Sequence, residues 1–226
     1  IKFLIQRRKL EEAKALCIRF PDDRKAQSQL LEIYIKQGKY DEAKRMGEKF
    51  PNAAGIQFKI IEIYMQEGKY EEAKKIGEKF PDNLVIQTKM VEIHIMEENY
   101  EAAKQIGEKF PNDPVMQIRI LTILLKEEKY EEAREIGKRF LNNPVIQSQI
   151  ITTYIKEDNY QEAIKVGERF KDDLTIQSQI LKAYRQEGNY AKVKEIGEKF
   201  ADNSSIQQGI ISMYIEMGKY KEAIKI

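Results

Sequence analysis

Between Tyr70 and Asn99 the apolar and small residues Tyr70, Ala73, Ile76, Gly77 and Phe80 stand at offsets 0, 3, 6, 7 and 10. That spacing is one face of an α-helix and not the alternation of a strand. Glu71 and Glu72 open this stretch and Lys79 closes it, each with the sign that suits its end of the helix dipole. Pro81 then blocks continuation, so a helix is predicted over 70–79. A second helix is predicted over 84–97, started by Asn83, whose amide oxygen can accept a first-turn N–H. Its apolar residues Ile86, Met90, Val91, Ile93 and Ile95 occupy more than one face. Such a helix has to be buried on two sides.

The same thirty residues recur along the whole chain. Tyrosine returns at Tyr40, Tyr70, Tyr100, Tyr130, Tyr160, Tyr190 and Tyr220, with Leu10 in the first place. Phenylalanine returns at Phe20, Phe50, Phe80, Phe110, Phe140, Phe170 and Phe200. No linker breaks the period, so residues 1–226 read as a single solenoid of about seven 30-residue repeats, partial at both ends. One repeat cannot bury both helical faces, but stacked neighbours can. The predicted fold is therefore all-α, an α-solenoid of stacked helix-turn-helix repeats.

Three repeated positions call for a physical reason. Gly47, Gly77, Gly107, Gly137, Gly167 and Gly197 lie inside a predicted helix, where glycine costs roughly 1 kcal/mol against alanine. Close helix approach is the favoured explanation, with an early C-cap as the rival. Cys17, also small, takes this place in the first repeat. Gln57, Gln87, Gln117, Gln147, Gln177 and Gln207 are expected to form a hydrogen-bonded ladder between stacked repeats, ahead of a role in touching ligand. His94 stands where Tyr34, Tyr64, Tyr154 and Tyr184 stand elsewhere and is read as a packing substitute.

The run Tyr64-Met65-Gln66-Glu67-Gly68-Lys69-Tyr70-Glu71-Glu72-Ala73 resembles the centre of a tetratricopeptide repeat. Gly38, Gly68, Gly188 and Gly218 match that family's turn glycine, and Ala43, Ala73, Ala103, Ala133, Ala163 and Ala223 its second-helix alanine. Pro21, Pro51, Pro81 and Pro111 resemble its closing proline. The family unit has about 34 residues, so this one is shortened. Glutamine replaces the family tryptophan, and the turns at Glu98, Glu128 and Asp158 lack the glycine. The resemblance implies a superhelix with a concave groove that binds peptides.

Specificity has to lie where the repeats differ. In the Tyr70 repeat the freely varying positions are Val85, Thr88, Lys89, Glu92 and Met96, a single stripe of one helix. In the resembled family this stripe lines the groove. One column along it reads Glu32, Glu62, Glu92, Thr122, Thr152, Lys182 and Ser212, so charge gives way to neutral and weakly basic residues. The candidate binding residues are Phe58, Lys59, Glu62, Lys89, Glu92, Ile118, Arg119, Thr122, Lys126, Gln149, Lys156 and Lys182, with Phe58 and Ile118 as isolated apolar contacts. The plainer reading is that Lys59–Glu62 and Lys89–Glu92 are i, i+3 pairs that solvate a helix.

Composition narrows the partner. Lys and Arg number 39 against 37 Asp and Glu, a net charge of +2, with no basic track for a phosphate backbone. A protein or peptide partner is expected along the face. A structural or regulatory arm of a larger protein is the alternative, and an RNA-binding helical repeat the second. No apolar run is long enough to span a membrane. One cysteine and one histidine offer no metal site or thiol–imidazole pair, and no phosphate loop or nucleophile triad is present. No enzyme activity, cofactor or metal is expected. A single cysteine fits a cytoplasmic setting. The chain starts and stops inside repeats, which reads as part of a longer protein. Ile1, Phe3, Leu4 and Ile5 at one end and Ala223, Ile224 and Ile226 at the other predict weak end-to-end association.

Overall fold

The structure, a computed structural model, describes residues 1–225; Ile226, counted above among the terminal apolar residues, lies outside them. Two compact units emerge, Ile1–Lys109 and Phe110–Ile226. The N-terminal unit holds α1 (Lys2–Gln6), α2 (Leu10–Ile18), α3 (Arg24–Lys36), α4 (Tyr40–Lys49), α5 (Ala54–Gln66), α6 (Tyr70–Gly77), α7 (Leu84–Met96) and α8 (Tyr100–Glu108). The C-terminal unit holds α9 (Pro114–Lys126), α10 (Tyr130–Arg139), α11 (Pro144–Lys156), α12 (Tyr160–Gly167), α13 (Leu174–Gln186), α14 (Tyr190–Lys199), α15 (Ser204–Glu216) and α16 (Tyr220–Ala223). A 3₁₀ turn, Glu168–Phe170, follows α12. Helices alternate short and long, and every long one from α3 onward has 13 residues.

The long helices stack on one another, α3 on α5 on α7 in one unit and α9 on α11 on α13 on α15 in the other. Short helices wedge between the long helix before and the one after, as α4 does between α3 and α5 and α12 between α11 and α13. A long helix therefore meets neighbours on several sides, which explains why its apolar residues spread around it. Ile86, Met90, Val91 and Ile93 of α7 are all buried.

The glycines mark close approach. A Cβ on Gly137 would lie 2.6 Å from Ile150 Cγ1, and one on Gly167 would lie 2.4 Å from Ile180 Cγ2. The short helix thus packs on the long helix that follows through bare backbone. Helices α6 and α12 do end at their glycine, two residues sooner than predicted for α6, but the cap residues Glu78 and Glu168 are right-handed. The left-handed C-cap is therefore not the reason for glycine here.

The recurring glutamine is structural, but the expected ladder between stacked repeats is corrected. Gln57 Nε2 donates to Gly47 O at 2.7 Å and to Phe50 O at 3.0 Å. Gln147 does the same to Gly137 O and Phe140 O at 2.8 and 3.1 Å. These carbonyls lie where the regular i→i−4 ladder of a short helix stops; Gly137 O, Phe50 O and Phe140 O each also accept one turn N–H. One buried amide joins the two helices of a single repeat by donating to two of these carbonyls. Only its oxygen reaches onward, accepting from Arg139 at Gln117 and from Arg169 at Gln147, both at 3.1 Å.

Caps close the long helices as the sequence predicts. Asp23, Asn83, Asp113, Asn143, Asp173 and Asn203 each accept the N–H three residues on, between 2.7 and 3.1 Å. At the other end Lys69 N donates to Tyr64 O and Gly68 N to Met65 O, the paired bonds of a Schellman motif with a left-handed residue between. Gly38, Gly68, Gly188 and Gly218 fill that place at φ 68 to 71°. Glu98, Glu128 and Asp158 take it at 55 to 58° without glycine's freedom.

Candidate binding face

The side of the short helices is tied down by repeated ion pairs. Lys44 Nζ lies 2.7 Å from Glu67 and 5.5 Å from the Tyr64 ring centroid. Lys74 reaches Glu97 at 3.0 Å, and Arg134 pairs with Glu157 while lying 5.2 Å from the Tyr154 ring. Each cation joins a short helix to the end of the next long one. The bond to Lys44 holds the Glu67 carboxyl below its ordinary range. His94 replaces the ring beside Lys74, and burial together with that ammonium pushes its imidazole down. Its Nδ1 is buried and lacks a hydrogen bond. His94 is a packing substitute, and an imperfect one.

The opposite, outward stripe of the long helices is where the repeats differ, and the structure leaves it accessible. In the N-terminal unit Lys59 is exposed, and Phe58, Glu62, Lys89 and Glu92 are half-buried. Lys59 and Glu62 pair at 2.7 Å, as do Lys89 and Glu92, and Lys36 meets Glu32 at 3.0 Å. Phe58 is not the isolated apolar contact expected, since Lys59 and Lys89 lie 5.3 and 5.8 Å from its ring centroid. The phenyl ring thereby joins α5 to α7 under two cations. Between α3 and α5 runs a depression of about 320 Å³ lined by Ser28, Glu32, Lys36, Lys59 and Glu62.

In the C-terminal unit Ile118, Arg119 and Gln149 are half-buried, and Thr122, Lys126, Lys156 and Lys182 are exposed on the same side of α9, α11 and α13. Ser148 Oγ donates to Gln179 Oε1 at 3.0 Å, and Gln179 Nε2 to Thr152 Oγ1 at 3.3 Å, which binds α11 to α13. Val115 and Val145 stand exposed near the starts of α9 and α11. Lys36 and Gln186 hold the place of Met96 in this stripe, by the thirty-residue period, but were not among the candidate binding residues.

Cys17 is buried, and burial raises its thiol above the ordinary range. Among the described residues no three His, Cys, Asp or Glu side chains are grouped to hold a metal, and no helix is long and apolar enough to cross a membrane.

No family profile and no curated protein matches the chain. A solved structure does match, the human IFIT1 dimer with PPP-AAAA, at 13% identity and a TM-score of 0.41. The match covers 96% of this chain and 62% of that one, so the chain spans less than two thirds of that protein. What the fold establishes is a helical repeat scaffold with one variable side.

Proposed function

We propose that the chain is a tetratricopeptide-like interaction module that binds a peptide or partner protein along the outward stripe of its long helices. One observation carries this. In every long helix the buried positions repeat, as Ile86, Met90 and Ile93 show against Ile56, Ile60 and Ile63, whereas the half-buried and exposed stripe changes from repeat to repeat. Packing needs sameness, while recognition of an irregular ligand needs difference. A face that merely solvated the helices would need no half-buried Phe58, Ile118 or Arg119.

The test is photo-cross-linking from Thr122 and Thr152, compared with cross-linking from Glu132 on the short-helix side. A partner captured from the first two positions, and lost in the triple variant Phe58→Ala, Lys89→Glu, Arg119→Glu, supports the assignment. Capture from Glu132 alone, or full binding by the triple variant, overturns it.

A further inference from the structure

His94 stands where Tyr34, Tyr64, Tyr154 and Tyr184 stand in other repeats. What a phenol does in that place is visible at Tyr184. Its side chain is buried, and its hydroxyl donates to Glu168, 16 residues earlier, at 2.8 Å. Only about 60 Å³ of space is left beside it, bordered by Glu168, Ile180 and Ile196.

The thirty-residue period carries Glu168 to Glu78, Ile180 to Met90, Tyr184 to His94 and Ile196 to Ile106. The same place in the N-terminal unit holds a cavity of about 340 Å³. An imidazole is shorter than a phenol and has no hydroxyl to send to Glu78. Among the described residues the Glu78 carboxylate takes part in no hydrogen bond or ion pair. His94 does not make up the loss, because its Nδ1 is turned to Glu97 at 3.8 Å, too far for a hydrogen bond. A third depression of this series, about 350 Å³ beside Tyr214, is not comparable, since the place of Ile196 falls there to Ile226, outside the described residues.

The lining of the His94 cavity suits an aromatic ring. Met90 brings a polarizable thioether, and Pro81 and Ile106 bring apolar surface. Lys74 brings an ammonium of the kind that Lys44 sets 5.5 Å from the Tyr64 ring. That ammonium is already held by Glu71 and Glu97, so it favours a neutral ring over an anion. An anionic ring would also set its charge against Glu78.

We propose that the cavity between α6, α7 and α8 binds a phenol, whose ring fills the space beside His94 and whose hydroxyl donates to Glu78 as Tyr184 donates to Glu168. The site lies on the short-helix side, apart from the outward stripe, and stands independently of the partner-binding reading.

NMR titration of the full chain, labelled with ¹³C at the methionine methyl groups, tests it. The probes are 4-methylphenol, toluene, benzoate and N-acetyltyrosinamide. Saturating 4-methylphenol is expected to shift the Met90 methyl signal and to bind about tenfold more tightly than toluene, which lacks the hydroxyl. Glu78→Ala is expected to remove that tenfold advantage. His94→Tyr and His94→Phe fill the cavity and are expected to abolish the Met90 shift. Thermal melts check that the variants fold, and Glu78 is exposed, so its variant decides the question even where a filled cavity unfolds. Binding of 4-methylphenol without the tyrosine amide supports the proposal with a free phenol as the ligand. Tighter binding of the amide supports it with a tyrosine side chain in that role. No saturable shift at Met90, equal affinity for toluene, tighter binding of benzoate, or an unchanged titration in Glu78→Ala or His94→Tyr each overturns the proposal. Cross-linking from Thr122 is unaffected by any of these, so the two readings fail separately.

Discussion

The N-terminal and C-terminal units are built from the same repeat yet show different surfaces. In both, a glycine lets a short helix press on the next long one, a glutamine satisfies two helix-end carbonyls, and an Asp or Asn caps the long helix. On the outward stripe the first unit pairs Glu62 and Glu92 with lysines of their own helices, while α9, α11 and α13 hold hydroxyl and amide residues at Thr122, Thr152 and Gln149. The comparison teaches that scaffold and surface are separable in a stacked repeat. The glycine, glutamine and cap contacts lie off the stripe and leave it able to change, although Phe58 and the Ser148–Gln179–Thr152 bonds also join helices on it.

The scaffold half of that statement breaks most visibly at the glycines. Gly137→Ala sets a methyl group 2.6 Å from Ile150, whose β-branched side chain is stiff. Overpacking of about 1–3 kcal/mol, offset by about 1 kcal/mol of helix propensity, leaves an expected net loss of about 0–2 kcal/mol. Gly77→Ala faces Met90 Sδ at 2.1 Å, but a thioether chain swings aside. Its net change is expected near zero. Urea unfolding of the two variants measures the difference. Equal losses would mean that the partner side chain does not decide how closely the helices approach.

A smaller effect separates the units by pH. His94, the one histidine, lies in the N-terminal unit with its imidazole pushed down by burial and by Lys74. The unfolded chain therefore takes up the proton first. Stability should be intact above the ordinary imidazole range, and should fall as pH drops through that range toward the lower folded value. His94→Tyr restores the ring that Lys44 and Arg134 already have beside them at Tyr64 and Tyr154. It should raise stability by about 0.5–1 kcal/mol and flatten the acid-side decline. Melting temperature measured across the imidazole range checks both, and an unchanged slope would sink the assignment.

Much of this was legible in the residues, because a period of thirty makes each position its own control. The paired helices, the Asp and Asn caps, the packing glycines and the turn glycines follow from local chemistry that the period repeats. The target of the glutamine was not legible. A side chain that can donate and accept fits a ladder between repeats as readily as a cap on carbonyls, and only the positions of Gly47 O and Phe50 O decide. Phe58 was misread for a related reason, since a varying aromatic on a stripe gives no sign that Lys59 and Lys89 cover it. The shift from charged to neutral along the Glu32 column was visible. That the early charges are paired on their own helices became clear once the faces were assembled.

The surface half of the comparison has the smallest expected effect on stability and the largest on recognition. Thr122→Glu gives α9 the i, i+3 arrangement that Lys59 and Glu62 hold on α5, with Arg119 as the cation. Thr122 is exposed and its hydroxyl bonds only its own helix, at Ile118 O, so folding loses little. The added pair contributes about 0.2–0.5 kcal/mol, close to the limit of a melting experiment. The same carboxylate stands on the stripe from which a partner would be cross-linked and should weaken that partner by about tenfold. The reciprocal change, Glu62→Thr, removes the partner of Lys59 in the N-terminal unit and should alter the affinity of a partner bound there. If Thr122→Glu leaves affinity unchanged while the fold is intact, the hydroxyl residues of the C-terminal unit are not what a partner reads, and the contrast between the two faces carries no recognition.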